Sequence, residues 1–354
     1  MPTPHVFVVD QRTFPYHLRY LFAGTTPGDP QKAHHIGLLA DISRVRSGDP
    51  VIFYMVGYGF YGIFCIATDA IYWEHPTTGW LQPEIGKPLI YRVRILPLRV
   101  YPKGVSEWEA IDKLPEKARD IRWSLIYRKL KGERGCSYIF QHEYVSLKNL
   151  LDAANEGNYL SDYDANAYHF YWQNGEIVLR EGATPEYQGS KDPPRDVTDK
   201  ASKIEAYLQA WVTQNIGRHQ QVNKFCGHPD KIEWFANEVY AGTGMQKMDI
   251  FCILRDESNR REFRIIELKT KNVEPNDYLN QLVRYIRWTI SYLFDPGDII
   301  QPVWVTTVAP PEHLLQKYRE IGSLISEEFQ EFNCKIPQIW HLRFEKEVIA
   351  EQLL

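Results

Sequence analysis

The sequence predicts an α/β protein of the α+β kind with two domains, and three observations carry that expectation. Short runs of β-branched and aromatic residues, bounded by Gly, Pro and Asp, fill the first 150 positions. From residue 200 onward the order becomes helix, antiparallel strands, long helix, strand, which is a mixed sheet flanked by helices. Between them lies GATPEYQGSKDPPRDVTDK, whose Gly, Pro and Asp content reads as a linker. At 354 residues, each half is long enough to bury its own core.

In the first half, VFVVD, PVIFYMVG, YGIFCIATDAIYW and LIYRVRILPL read as strands. A helix is expected from Ala33 to Val45, stopped by Ser47-Gly48-Asp49-Pro50, a turn that launches the next strand. Mixed short strands of this kind suggest a strongly curved sheet or open barrel with helices, over residues 1–151. Residues 152–199 read as a hairpin and linker, the hairpin turning at Asn174-Gly175. In the second half, 200–354, SKIEAYLQAWVTQNIG is an amphipathic helix with Ile204, Leu208, Trp211 and Val212 at helical spacing. Strands follow at KIEWFANEVYA, MDIFCIL and FRIIELK, then a helix from Asp277 to Leu293 and a strand QPVWVTTVA. A helix from Glu312 to Phe332 and a last strand at IWHLRF complete the unit.

Composition narrows the class. No run of about 18 apolar residues occurs, which argues against a membrane span. The start MPTPHVFVVD has no charged leader, and a cytoplasmic location is expected. Five cysteines stand singly without C-x-x-C, as reduced thiols do. His219, Cys226 and His228 lack a fourth ligand at zinc spacing and read as structural. The net charge of −4 does not advertise nucleic-acid binding, but its distribution matters more than its sum. Residues 113–134 hold eight basic side chains against three acidic ones. Within them Arg119, Arg122, Arg128, Lys129, Lys131 and Arg134 are candidates for gripping a phosphate backbone, although a solvated surface has the same composition.

The chemistry concentrates in the second half. In F-R-I-I-E-L-K, residues two apart share a strand face, so Glu267 and Lys269 emerge together while Ile266 and Leu268 face a core. Asp249 opens the preceding strand, after a turn containing Gly242 and Gly244, and hairpin pairing would bring it beside Glu267. Asp249, Glu267 and the Leu268 carbonyl form a hard-oxygen set suited to Mg²⁺, with Mn²⁺ as a substitute. Lys269 beside that metal can orient water or neutralise a phosphorane, which is the requirement of phosphodiester hydrolysis. Gln281 and Tyr285, four apart on the next helix, share a face aimed at the same place, with Arg284 and Trp288 flanking. Glu238 reads as a surface strand residue.

Asp249, Glu267-x-Lys269 and Gln281-x-x-x-Tyr285, in this order, resemble the RecB-like branch of PD-(D/E)xK nucleases, and most of all the NucS (EndoMS) catalytic domain. The resemblance covers residues 200–310 and implies a restriction-endonuclease-like fold with those five residues as its catalytic group. Glu205, in KIEAYL, corresponds to the helix glutamate of that family. The first 150 residues resemble the PUA-like superfamily, especially its EVE and YTH branches, through VFVVD, RVRSGDPVIFYMVG, FYGIFCIATDAIYW and LIYRVRILPL. His34-His35 stands where EVE domains usually carry a tryptophan-containing segment. This likeness implies a pocket for a flipped, often modified base, for which Tyr54, Trp73, Tyr58, Phe60, Tyr61, Tyr72 and Trp123 are candidate walls.

Three functions follow as expectations. The leading one is a Mg²⁺-dependent endodeoxyribonuclease that reads a modified base with its first domain and cuts DNA with its second. Double-strand cutting would need two active sites, which points to a homodimer. An alternative is a structure- or mismatch-specific repair endonuclease. A non-catalytic binder of modified nucleic acid is the third.

Overall fold

The computed structural model describes residues 2–25, 33–75, 77–111, 135–160, 162–190, 197–242, 246–271 and 274–309. Further on it describes 316–317, 320, 323, 325, 327–329, 336, 339–345 and 348–350. Contacts divide the chain into two compact units, which among the described residues run from Pro2 to Ser190 and from Val197 onward. Both are mixed α/β units built on mixed sheets.

The first unit holds a six-stranded sheet of β1 (His5–Val9), β2 (Phe22–Thr25), β3 (Pro50–Met55), β4 (Gly59–Trp73), β5 (Tyr91–Arg99) and β6 (Cys136–Tyr138). Its order is β2-β5-β4-β3-β1-β6, so among the described residues the sheet is open, with β2 and β6 at its ends. Only β1 and β3 run parallel; the other pairs are antiparallel. Parallel neighbours need a crossover, supplied here by α1 (Phe14–Tyr20), β2 and α2 (Ala33–Ser43). Every residue of β3 is buried, which is why PVIFYM reads as an unbroken apolar run. Further along lie the short helices α3 (Gln82–Ile85) and α4 (Glu107–Ile111), then α5 (Gln141–Ala154). Leu147 and Leu151 of α5 pack with Val6, Ile52, Tyr54, Phe60 and Ile63. Asp49 fixes the turn before β3. Its carboxylate accepts the Thr3 and Arg46 amides at 2.9 and 2.8 Å and pairs with His5 Nε2 at 2.8 Å.

The region expected to link the units belongs largely to the first one. The hairpin β7 (Tyr168–Gln173) and β8 (Glu176–Glu181) turns at Asn174-Gly175, both at positive φ as a primed turn requires. Trp172 packs edge-on against Tyr58 at 5.2 Å, and Phe170 does so against Phe64 at 6.1 Å. Tyr187, inside the supposed linker, is buried with Phe22, Tyr72 and Trp80. A few large rings decide this placement, because their burial outweighs the polar composition around them.

The second unit begins with α6 (Thr198–Ala201), α7 (Glu205–Asn215) and α8 (Gln220–Cys226). Its sheet contains β9 (Ile232–Tyr240), β10 (Lys247–Arg255), β11 (Arg261–Lys269), β12 (Ile299–Thr306), β13 (Trp340–Glu345) and β14 (Val348–Ala350), in the order β14-β13-β12-β11-β10-β9. β9, β10 and β11 form an antiparallel meander; β11, β12 and β13 run parallel. The parallel step from β11 to β12 is crossed by the long helix α9 (Pro275–Tyr292). Most residues of the helix expected from Glu312 to Phe332 lie outside those described.

Candidate active site

The β10–β11 hairpin pairs Arg255 with Arg261 down to Ile250 with Ile266, so one step further Asp249 stands opposite Glu267. Ile250, Ile266 and Leu268 are fully buried, and the alternation of the strand sends Asp249, Glu267 and Lys269 to the opposite face. There Lys269 Nζ donates to Glu267 Oε1 at 2.7 Å and to the Leu268 carbonyl at 3.0 Å. The same ammonium lies 3.6 Å from Glu205 Oε2 and 3.8 Å from Asp249 Oδ2. The Leu268 amide donates to Asp249 Oδ2 at 2.7 Å. All four charged side chains therefore meet at one point.

Helix α9 spans this face by a simple match of dimensions. Each turn of three or four residues advances about 5 Å, close to the spacing of neighbouring strands. Tyr278, Gln281 and Tyr285 consequently meet three successive strands. Tyr278 stacks on Trp304 of β12, with centroids 4.8 Å apart. Gln281 Nε2 donates to Glu267 Oε1 of β11 and to Tyr285 Oη, at 2.7 and 2.8 Å. The Tyr285 hydroxyl donates to the Lys247 carbonyl of β10. Trp304 is the register partner of Glu267 and stacks in turn on His341 of β13 at 4.6 Å. An aromatic wall thus closes one side of the carboxylate group, and Thr306 Oγ1 lies 2.9 Å from His341 Nε2 behind it.

Burial dominates the electrostatics. Glu267 is 2 % exposed. Loss of water raises the Asp249 carboxyl well above its ordinary range, and repulsion from Glu267 adds to this. Glu267 is raised for the same first reason, against the opposing pull of Lys269. For Lys269, burial favours the neutral amine, but Asp249, Glu267 and Glu205 outweigh it and raise the group further. The Tyr285 hydroxyl is raised by burial and then by Glu267, so it stays protonated.

The oxygens gathered here are of the kind that a divalent cation takes. Among the described residues no three His, Cys, Asp or Glu side chains form a metal cage by themselves. The set here consists of two strand carboxylates and the Leu268 carbonyl, with Glu205 at its edge, all converging on a positive ammonium. Glu267 Oε2 is buried without a hydrogen-bond partner, a costly state for a carboxylate oxygen that a bound cation would relieve.

The base-pocket candidates are not gathered into one place. Tyr54, 1 % exposed, and Phe60 lie in the core of the first unit, and the Tyr54 hydroxyl donates to Glu107 Oε2 at 2.6 Å. Tyr58, 42 % exposed, and the buried Tyr61 both contact Trp172. Trp73 stands at the far end of β4 beside His75. Trp123 and all six phosphate-gripping candidates lie outside the described residues. Of the candidates, Tyr72 lies in a ring cluster around Tyr187 whose other members, Phe22 and half-buried Trp80, sequence reading missed. Buried Arg92 and Glu74 adjoin it: Arg92 Nη2 donates to the Trp80 carbonyl at 2.9 Å, and Glu74 accepts the Trp80 amide at 3.0 Å. Its only sequence signal is the chance spacing of rings across four separate segments. His219 and His228 each cap a short helix, while Cys226 is buried against Cys252.

Comparison with protein-family models and with curated proteins finds no match to this chain.

Proposed function

We propose that this chain is a Mg²⁺-dependent endodeoxyribonuclease of the PD-(D/E)xK type, cutting with its second unit and reading a base with its first. The observation that carries the reading is the convergence of Asp249, Glu267, Glu205 and the Leu268 carbonyl on the Lys269 ammonium, with Glu267 Oε2 unpartnered. The order of Asp249, Glu267-x-Lys269 and Gln281-x-x-x-Tyr285 along the chain supports the same family.

Asp249, Glu267 and the Leu268 carbonyl would hold the metal, which when bound supplies Lewis acidity toward a phosphate oxygen and a more acidic water. Lys269 stays an ammonium, so its part is to orient the attacking water by donating a hydrogen bond and to offset charge developing on the phosphoryl oxygens. Gln281 fixes the Glu267 carboxylate, and Tyr285 fixes Gln281 while anchored to the Lys247 carbonyl. Trp304 and His341 keep bulk water from the protein side of Glu267. In the first unit, the PUA-like resemblance supports recognition of a base, and half-buried Trp80, packed on Tyr20 and Tyr187, is the ring of its cluster that a base could reach.

Plasmid densely modified at cytosine, and the same plasmid unmodified, test the reading against the protein and its Glu267→Ala variant. Faster Mg²⁺-dependent cutting of the modified plasmid, absent in the variant, is expected. Equal rates on both plasmids remove the base reader; cutting confined to mismatched or branched duplexes transfers the enzyme to repair.

A further inference from the structure

The β9–β10 ladder is interrupted at two places: its register shifts between Ile253 and Leu254 at one end, and a pair is absent near the other. Its register pairs Lys247 with Tyr240, Met248 with Val239 and Ile250 with Asn237, yet the intervening pair, Asp249 with Glu238, is missing. There Glu238 adopts a φ of 49°, in the left-handed region that a side chain disfavours. The break in the ladder falls on the residue that opens the candidate active site.

At that break the Asp249 backbone is held from elsewhere. Gln209, 5 % exposed on α7, donates from Nε2 to the Asp249 carbonyl at 3.0 Å. Gln209 follows Glu205 by four residues, so both project from one helix face. One reaches Asp249 on β10 and the other Lys269 on β11. The carboxylate end of Asp249 is held separately, by the Leu268 amide at 2.7 Å.

We propose that Gln209 is a positioning residue, holding Asp249 by its main chain at a ladder break made by Glu238 and so setting where its carboxylate points. The consequence for metal binding rests on the nuclease reading; the geometric consequence does not. A Gln209 that merely satisfied a buried carbonyl would stabilise the fold without affecting the Leu268 amide or the metal.

The test uses the full chain and four variants: Gln209→Leu, Gln209→Glu, Glu238→Val and Glu238→Gly. Hydrogen exchange of the Leu268 amide reports on Asp249 directly, and titration with Mn²⁺ alone reports on the metal set. In Gln209→Leu, and in Gln209→Glu above the carboxylate pKa, the Leu268 amide should exchange at least about tenfold faster while Ile265 and Ile266 keep their protection. Mn²⁺ affinity should fall by about tenfold, and kcat should fall with KM for DNA unchanged, as for loss of a group supporting a metal ligand. Glu238→Val should resemble Gln209→Leu because a β-branched residue resists positive φ, whereas Glu238→Gly should keep Leu268 protected. Both lose the ion pair with Lys247, so their difference isolates the backbone.

Unchanged Leu268 exchange in Gln209→Leu overturns the proposal, as does equal behaviour of the two Glu238 variants. A wild-type protein that neither binds Mn²⁺ nor cuts DNA removes the nuclease reading, and Leu268 exchange still decides the role of Gln209. Should Gln209→Leu fail to fold, Gln209→Glu decides the role of Gln209 and the Glu238 pair that of the ladder break.

Discussion

At the scale of single residues, the site is assembled against its own stability. Glu267 is buried and Asp249 is half-buried beside it, and both carboxyls are raised by lost hydration. A carboxyl raised in the folded state favours folding at low pH and costs stability above its unfolded pKa, so at neutral pH both oppose folding. Asp249→Asn should therefore raise the melting temperature in EDTA while lowering cleavage by about 10²- to 10³-fold, the usual scale for one electrostatic group at a reacting centre. Calorimetry and plasmid cleavage on the same sample check both halves. His17 works with the opposite sign. It is fully buried in the first unit, with Nδ1 3.0 Å from the Phe22 carbonyl, and burial lowers its pKa to about 3. The unfolded chain then binds a proton that the folded chain refuses. Stability is complete above the unfolded value near 6.5 and is lost as pH falls toward 3, by up to about tenfold in the folding constant per pH unit. Urea unfolding between pH 7 and pH 4 should show this loss, and His17→Gln should lessen its slope, the remainder being shared with His5 and His341, which burial also lowers. Asp249, Glu267 and Lys269 were legible in the sequence because strand alternation fixes which side chains share a face. Gln209 was not, since nothing local marks a glutamine whose partner is a carbonyl 40 residues away.

At the scale of elements, α9 covers the sheet face that carries the candidate site. Its Tyr278, Gln281 and Tyr285 match successive strands because one helical turn and one strand spacing are nearly equal. Gln281→Leu leaves an oxygen of buried Glu267 without its amide donor and should destabilise the second unit by about 1–3 kcal/mol, measured by urea unfolding. Metal-dependent cleavage should fall in the same variant. The spacing of Gln281 and Tyr285 was readable from helical periodicity, but Tyr278 was not, because its partner Trp304 belongs to a strand beyond the helix. The hairpin at Asn174-Gly175 was readable from two residues, since positive φ at both selects them. Its attachment to the first unit depended on Trp172 and Phe170 meeting rings far away in sequence.

At the scale of the whole molecule, the chain forms two compact units, to which the proposed reading gives separate tasks. In the second unit α7, α9 and β9 to β13 fall where periodicity placed them, whereas α6, α8 and β14 were not anticipated, and most of the helix expected from Glu312 to Phe332 lies outside the described residues. The first unit was harder. Its open mixed sheet holds the four expected strands with β2 and β6, which were not anticipated, and Tyr54 and Phe60 are core, the more common place for single strand aromatics. The rings that do cluster, Phe22, Tyr72, Trp80 and Tyr187, come together only through the fold. If they read a base, Trp80→Ala should bring the cleavage rates of modified and unmodified plasmids together without slowing the unmodified one. No helix among the described residues is long and apolar enough to cross a membrane.

In the proposed reading, the point where Asp249, Glu267 and Lys269 meet cuts DNA with a divalent cation. Supercoiled plasmid incubated with Mg²⁺ and either the protein or its Glu267→Ala variant tests it most directly. Conversion to nicked or linear forms by the protein alone, abolished by EDTA and by the substitution, is the predicted result. Equal conversion by both proteins, or conversion that persists in EDTA, would contradict it.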